Sequence, residues 1–459
     1  MHKEKLSPKL VNISLIMQLG IIAPSLDATI VNVAIKTFVL EFRSSISIAQ
    51  WITTAYILAM GITVPVSGWL VNRFSGKTVY LTSLAIFSAG SVGASLAWNM
   101  ESLIGFRIIQ GIGAGVMLPV MQTVLVRISG RDNLPRIMAV IGIPAAIIPV
   151  LGPTIGGLIV NSLPWQWIFI INIPICIVAF ILGQIHLPGE AAVNKTQPLD
   201  LIGLLLLLPA FCVIIFGISA FRAEAMQKGI VFLAAGIVLL FAYCLYVMHS
   251  RKEPPLNVRL FNDKNFSASV ILIFLFGAFS TGTLFILPLY FQQAHQVSVF
   301  AAGLLLAPQG IGMLCTRTSA VKLMEKIGGR PVILAGLICT LCGTVPLSLF
   351  FTEGNLILPV ILLLIRGAGL GLVMVPVTTG VYDRLDKKDI PQGTTATRIF
   401  QQIGGAFGTA VLAIVLSHGL PDSGANMFPA FAKVFWWAAV LTAVSVAPVF
   451  FLHKNRNAA

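Results

Sequence analysis

Apolar residues fill this chain in long unbroken stretches, each about 20 residues or more, parted by polar segments averaging about 10. Neither the period of two of a half-buried strand nor the one-faced period of a soluble helix organises them. The stretches are hydrophobic all round, as helices in lipid are. A hydrocarbon core of ~30 Å needs ~20 apolar residues per helix. That ruler predicts fourteen spans, at about 12–35, 47–70, 78–98, 102–126, 137–160, 164–187, 200–221, 229–248, 266–290, 299–321, 331–351, 355–380, 394–417 and 430–452. Connections this short hold no separate extramembrane domain. The first stretch contains Pro24 and Asp27 and has no small-residue cleavage site after it, so it reads as a helix and not as a leader.

An even number of crossings puts both termini on one side, and the distribution of Lys and Arg decides which. With fourteen spans, 21 basic residues fall on the amino-terminal side and 5 on the other (Lys36, Arg43, Arg222, Lys228, Lys433). Both termini are therefore expected in the cytoplasm of a cell whose plasma membrane holds the protein.

Composition agrees. Of 459 residues, 57% are hydrophobic and 10% charged, against ~25% charged in a soluble protein, which excludes a string of soluble domains. The net charge of +14 comes from basic residues scattered singly or in twos and threes. No basic stripe or nucleic-acid-binding signature accompanies them, so nucleic acid is not an expected partner. All six cysteines sit in apolar stretches and read as small buried hydrophobes, including the Cys339 and Cys342 pair, which has no second pair to complete a zinc site.

Two motifs recur at nearly one offset. Gly68-Trp-Leu-Val-Asn72-Arg73-Phe-Ser75 after span 2 matches Val321-Lys-Leu-Met-Glu325-Lys326-Ile-Gly328 after span 10. Gln110-Gly111-Ile-Gly113-Ala-Gly115 in span 4 matches Arg366-Gly367-Ala-Gly369-Leu-Gly371 in span 12. The spacings, 253 and 256 residues, point to a duplicated six-helix unit. The expected organisation is a first bundle over 1–187, an inserted helix pair with its linkers over 188–249, and a second bundle over 250–459.

These residues resemble the major facilitator superfamily, in particular its fourteen-helix drug:proton antiporter branch of the EmrB/QacA type. Leu26-Asp27-Ala-Thr29-Ile-Val-Asn32-Val-Ala34 is similar to that branch's span 1 motif, and Arg107 to Gly115 to its span 4 motif. The stretch Pro149 to Gly157, with Gly152, Pro153 and Gly156, resembles the antiporter motif of span 5, and Trp165 to Pro174 the signature that follows it. The resemblance implies an all-α polytopic fold of two six-helix bundles with two helices inserted between them. It also implies proton-coupled export of hydrophobic or amphiphilic small molecules by alternating access, without metal or cofactor, by a monomer. Asn32, Gln110 and Arg366 are then expected in the substrate cavity. Gly68, Asn72, Arg73, Glu325 and Lys326 are expected in the gating loops. The family's loop carries an aspartate where this chain has Asn72 and a glycine where it has Ser75, and its span 1 motif a proline where this chain has Lys36. A weaker cytoplasmic latch, partly carried by Glu325, is the expected consequence.

Charge within the spans is scarce and expensive, at least ~2.5–3.5 kcal/mol per residue on insertion scales, which makes each deep charge a functional candidate. Arg317 and Arg398 lie near helix ends, where long side chains reach water. Asp27, Arg107 and Arg366 do not. Asp27 is about 15 residues into span 1 and Arg107 about 5 into span 4 from the other side, so both come to similar depth in the outer half. An Asp27–Arg107 pairing is expected. Desolvation opposes the carboxylate's charge while the guanidinium favours it, so a change in their separation would switch Asp27 between protonated and ionised. A pair that only fixes helix packing is the alternative.

Other classes fit less well. Gly76-Lys77-Thr78 imitates the tail of a phosphate-binding loop, but Val71 replaces its first glycine and a short connection cannot supply the required strand and helix. One deep carboxylate is too few for an aspartyl protease. A transporter of an endogenous metabolite or anionic amphiphile on the same scaffold, or a membrane sensor, remains open.

Overall fold

In the computed structural model every element among the described residues is helical. Lipid demands this, because each backbone N–H and C=O must find its partner within its own segment. The structure describes residues 7–44, 46–49, 51–189, 198–219, 226–250, 254–349, 356–383, 385–386, 389–419 and 427–452. Thirteen helices exceed ten residues: α1 (Pro8–Glu41), α2 (Trp51–Arg73), α3 (Gly76–Ser95), α4 (Met100–Ser162), α5 (Asn172–His186), α6 (Leu201–Ser219), α7 (Met226–His249), α8 (Lys264–Leu289), α9 (Ala307–Ile327), α10 (Gly329–Leu349), α11 (Ile357–Tyr382), α12 (Ile390–Gly419) and α13 (Phe428–Val444).

Short polar side chains start several of them. The Ser75 hydroxyl accepts the Thr78 N–H at the head of α3, and the Asp263 carboxylate accepts that of Phe266 at the head of α8. Asn99 and Ser102 cap α4 reciprocally, Asn99 Oδ1 taking the Ser102 N–H at 2.7 Å and Ser102 Oγ the Asn99 N–H at 3.2 Å. Helix α9 stops at Gly328, whose φ of 85° suits a residue without a Cβ.

Twelve helices among the described residues are long and apolar enough to cross a membrane, so the expected count of fourteen is not supported. Two predicted spans lack a counterpart, for different reasons. The span at 299–321 falls on the short helix Val299–Leu305 and on α9, whose 21 residues include Arg317, Lys322, Glu325 and Lys326. The span at 137–160 is the second part of α4, where most side chains from 138 to 154 lie outside the described residues. Pro149 and Pro153 are among these, as is Asn32 in α1; their backbones are helical.

Helix α4 is 63 residues long, and at 1.5 Å per residue a straight rod would measure about 95 Å. It is not straight. Arg107 near its start pairs with Asp27, while a Cβ at Gly152 would strike Thr29, half a turn further along α1. Met100, Leu103 and Ile159 share one buried cluster with Leu26 and Ile30. The helix therefore doubles back, and its two arms lie together against α1.

The chain divides into two compact units. One comprises Met1–Leu204 with Asp386–Thr395, the other Leu205–Leu385 with Ala396–Ala459. In the first, α4 packs against α1, α2 and α3; in the second, α11 packs against α8, α9 and α10. The sequence repeat reappears in these contacts. A Cβ at Gly113 would stand 2.6 Å from the Ser83 carbonyl oxygen, and one at Gly369 2.5 Å from that of Gly336. Likewise a Cβ at Gly90 would meet the Gln110 nitrogen at 2.8 Å, and one at Gly343 the Arg366 nitrogen at 2.5 Å. Ser83 and Gly336, and Gly90 and Gly343, are each 253 residues apart; Gly113 and Gly369, and Gln110 and Arg366, are each 256 apart. Such glycines let helix backbones approach where lipid supplies no hydrophobic drive.

Candidate functional site

Asp27 has no exposed surface, although it is a carboxylate in the middle of an apolar helix. Arg107, equally buried, forms an ion pair with it through Nη1 and Oδ2. Three further groups complete the cluster. Asn172, the first residue of α5, donates its Nδ2 to Asp27 Oδ1 at 2.9 Å. Gln110, one turn along α4 from Arg107, accepts from Arg107 Nη1 at 2.8 Å, reaches Asp27 Oδ1 at 3.5 Å through Nε2, and gives Nε2 to Ser91 Oγ at 2.7 Å. Tyr56 on α2 lies beneath the guanidinium, 4.1 Å from ring centroid to Cζ, and its hydroxyl donates to the Pro24 carbonyl at 3.1 Å. Arg107 Nε donates to the Ile52 carbonyl at 3.2 Å.

Five helices thus converge on one carboxylate, and the elements set the convergence. The Asn99 cap fixes the start of α4, which brings Arg107 and Gln110 onto one face at i and i+3. Among the described residues the hydrogen bonds to Asp27 come from Arg107, Asn172 and Gln110. Two buried polar atoms in the cluster have no hydrogen-bond partner, Arg107 Nη2 and Asn172 Oδ1. The second is an acceptor beside the Asp27 carboxylate.

The second unit has a buried cation of its own. Arg366 is 1% exposed, and gives Nη1 to Gln309 Oε1 at 2.6 Å and Nη2 to the Phe279 carbonyl at 3.0 Å. By the repeat it occupies the place of Gln110, not that of Arg107. Arg366 thus lies in the second unit, held by neutral acceptors, whereas Gln110 joins the Asp27 cluster in the first. Arg317, expected to reach water at a helix end, is also buried, at 6% exposure, inside α9, which runs on to Ile327. Arg398 lies half-buried and donates to Gln401 Oε1 at 3.0 Å.

The residues expected in gating loops lie in helices instead, Gly68, Asn72 and Arg73 in the last turns of α2 and Glu325 and Lys326 in the last turn of α9. Asn72 is buried and accepts from Arg127 Nη2 at 2.7 Å, with Arg127 Nη1 on the Val71 carbonyl at 3.3 Å. A cation on α4 thus holds the end of α2 at a neutral side chain. Gly68 lies against Thr395 and Pro391 of the Asp386–Thr395 segment, at 3.3 and 3.6 Å from its Cβ position. Arg73 lies over the Trp69 ring at 5.7 Å. Glu325 and Lys326 are exposed. Gly156 meets Ile30 of α1 at 3.3 Å, and Gly157 faces open space.

Comparison with known proteins gives the scaffold a family. The Major Facilitator Superfamily profile matches residues 19–409. A multidrug resistance protein B homologue of Mycobacterium tuberculosis is 30% identical over 427 residues, 91% of this chain and 78% of that protein. The lincomycin resistance protein LmrB of Listeria monocytogenes is 29% identical over 395 residues, 85% of this chain and 83% of that protein. Among solved structures, the human organic anion transporter MFSD10 aligns with a TM-score of 0.68 at 16% identity, over 98% of this chain and all of its own. The proton:xylose symporter XylE aligns at 0.66 and 15%, over 96% and 95%. Those two likenesses concern the fold alone, whereas the profile and the relatives concern descent. This multi-pass membrane chain belongs to the major facilitator superfamily.

Proposed function

We propose that this protein is a proton-coupled antiporter that exports hydrophobic or amphiphilic small molecules by alternating access. The observation that carries the reading is Asp27, a fully buried carboxylate ion-paired to Arg107. In a bilayer such a charge is retained at high cost and marks a proton or ion pathway. Relatives named for multidrug and lincomycin resistance support drugs as cargo.

In this mechanism Asp27 is the proton carrier and Arg107 its counter-charge. Protonation removes the attraction for Arg107 and creates an O–H that needs an acceptor, which a turn of the Asn172 amide supplies through Oδ1. Asn172 therefore serves both protonation states, and Gln110 retains Arg107 when Asp27 is neutral. Asn32 and Arg366 belong to the substrate path, and Asn72 at the end of α2 with Arg127 to the gate. One proton moving inward down ~100 mV releases ~2.3 kcal/mol and one pH unit adds ~1.4. Together they sustain a several-hundredfold gradient of a neutral substrate.

The same reading takes the crossings as fourteen, with the return arm of α4 and α9 added to the twelve, and both termini in the cytoplasm of a monomer in the plasma membrane. Three buried arginines, Arg107, Arg317 and Arg366, against one deep carboxylate favour neutral or anionic amphiphiles over dications. Dye and drug efflux from a pump-deficient host tests this. Wild type should lower accumulation of neutral and weak-acid toxicants, and Asp27→Asn, expressed at equal level, should not. Undiminished export by Asp27→Asn refutes the mechanism, and strong export of dicationic dyes alone refutes the substrate class.

A further inference from the structure

A groove of about 610 Å3 lies in the second unit among α10, α12 and α13, within the ~300–1,000 Å3 of small-molecule sites. Its walls include Leu349 and Ile414, and its polar groups are of one kind. Lys433, Trp436 and Trp437 stand at i, i+3 and i+4 of α13, so an ammonium and two indole N–H donors share one helix face. All three are exposed, Trp436 to 54% and Trp437 to 47%. The one hydroxyl in the lining, Ser348, donates to the Val345 carbonyl at 2.6 Å. Among the described residues no acidic side chain lines the groove. It therefore complements a ligand with an anionic, acceptor-rich head and an apolar tail.

We infer that this groove binds an anionic glycerophospholipid of the surrounding bilayer, its phosphate on Lys433 and an acyl chain along the apolar wall. Depth agrees with that occupant. In the topology proposed above α13 enters from the outer side, and Lys433 is its sixth residue, about 8 Å along the axis. That is the level of the headgroup boundary, where tryptophans also concentrate. The outer placement rests on that topology; the chemistry of the groove does not. Lys433 is also one of only five basic residues assigned to the outer side, so few other outer cations compete for such a lipid.

Fluorescence quenching tests the inference on the full-length protein in phosphatidylcholine vesicles, with brominated phosphatidylglycerol or brominated phosphatidylcholine added. Trp436→Phe/Trp437→Phe identifies which part of the emission comes from the groove. The groove component should be half quenched at a phosphatidylglycerol fraction about fivefold below that for phosphatidylcholine, the preference expected of one lysine near a membrane surface. Lys433→Ala should erase the preference, Lys433→Arg should keep it, and Lys433→Glu should reverse it. Equal quenching by both lipids in wild type, or a preference that survives Lys433→Ala, overturns the proposal. So does displacement of the brominated lipid by an exported dye, which would make the groove a substrate path. No gradient or transport enters the assay, so it reads the same in an Asp27→Asn background whatever becomes of the proton mechanism.

Discussion

Asp27 and Arg107 compensate one another in a medium that solvates neither, and removing one partner leaves the other uncompensated. Arg107→Met should therefore destabilise the protein by about 3–5 kcal/mol, seen as a lower melting temperature in detergent. Adding Asp27→Leu should recover most of that loss, because replacing a whole buried pair by apolar groups is often neutral. A double variant as unstable as the single one would mean that the pair is not the source of the effect. A second residue-scale expectation concerns His295, just beyond α8, whose ring lies among Tyr290, Phe291 and Phe428. Burial there pushes its pKa below the ordinary 6.5, so the folded state favours the neutral ring. That contribution is full above about pH 6.5 and is lost as pH falls below it toward the folded value. The melting temperature should fall more between about pH 7.5 and 5.5 in wild type than in His295→Phe; equal slopes would remove His295 as the cause. Asp27 and Arg107 were legible in the sequence because charge stands out against apolar runs. Asn172 falls in the Trp165–Pro174 signature, but nothing in the sequence marks it, Ser91 or Tyr56 as belonging with Asp27, since neutral polar residues barely alter hydropathy. Arg127, the partner of Asn72, stands out in the sequence only as one of the 21 basic residues on the amino-terminal side.

Elements were legible where composition alone makes a helix. Twelve of the expected spans have their counterparts, from α1 to α13, because continuous apolar runs in lipid have one backbone solution. Where charge interrupts the run, as in α9, the sequence marks a helix whose hydropathy no longer marks a crossing. Pairing between helices was visible only as glycine spacing, and the contacts give it meaning. A side chain at Gly113 would collide with the α3 backbone at Ser83 and Phe87, whereas one at Gly157 meets nothing within 4 Å. Gly113→Leu should accordingly cost about 1–3 kcal/mol or more and sharply reduce folded yield, while Gly157→Leu should leave yield and melting temperature unchanged. Equal tolerance at both sites would contradict the packing of α3 on α4.

For the whole molecule, the duplication read from two motifs reappears as paired contacts, Gly113 on Ser83 and Gly369 on Gly336, so the repeat is structural as well as textual. Its chemistry has diverged: the first unit keeps an acid and a base together, and the second keeps Arg366 among neutral acceptors. The asymmetry of Lys and Arg across the predicted loops gives the topology a direct test. In a cysteine-free background, Trp98→Cys, in an exposed connection between α3 and α4, should react with an impermeant maleimide on intact cells. Gly189→Cys, beyond α5, should react only after permeabilisation. The opposite pattern would invert the orientation.

The central claim is that Asp27 exchanges its proton as substrate binds. Purified protein in weakly buffered detergent with a pH indicator measures this directly. Adding an exported compound to wild type should release protons, up to one per transporter, and Asp27→Asn should release none while still binding the compound. Equal proton release from both proteins would contradict the account.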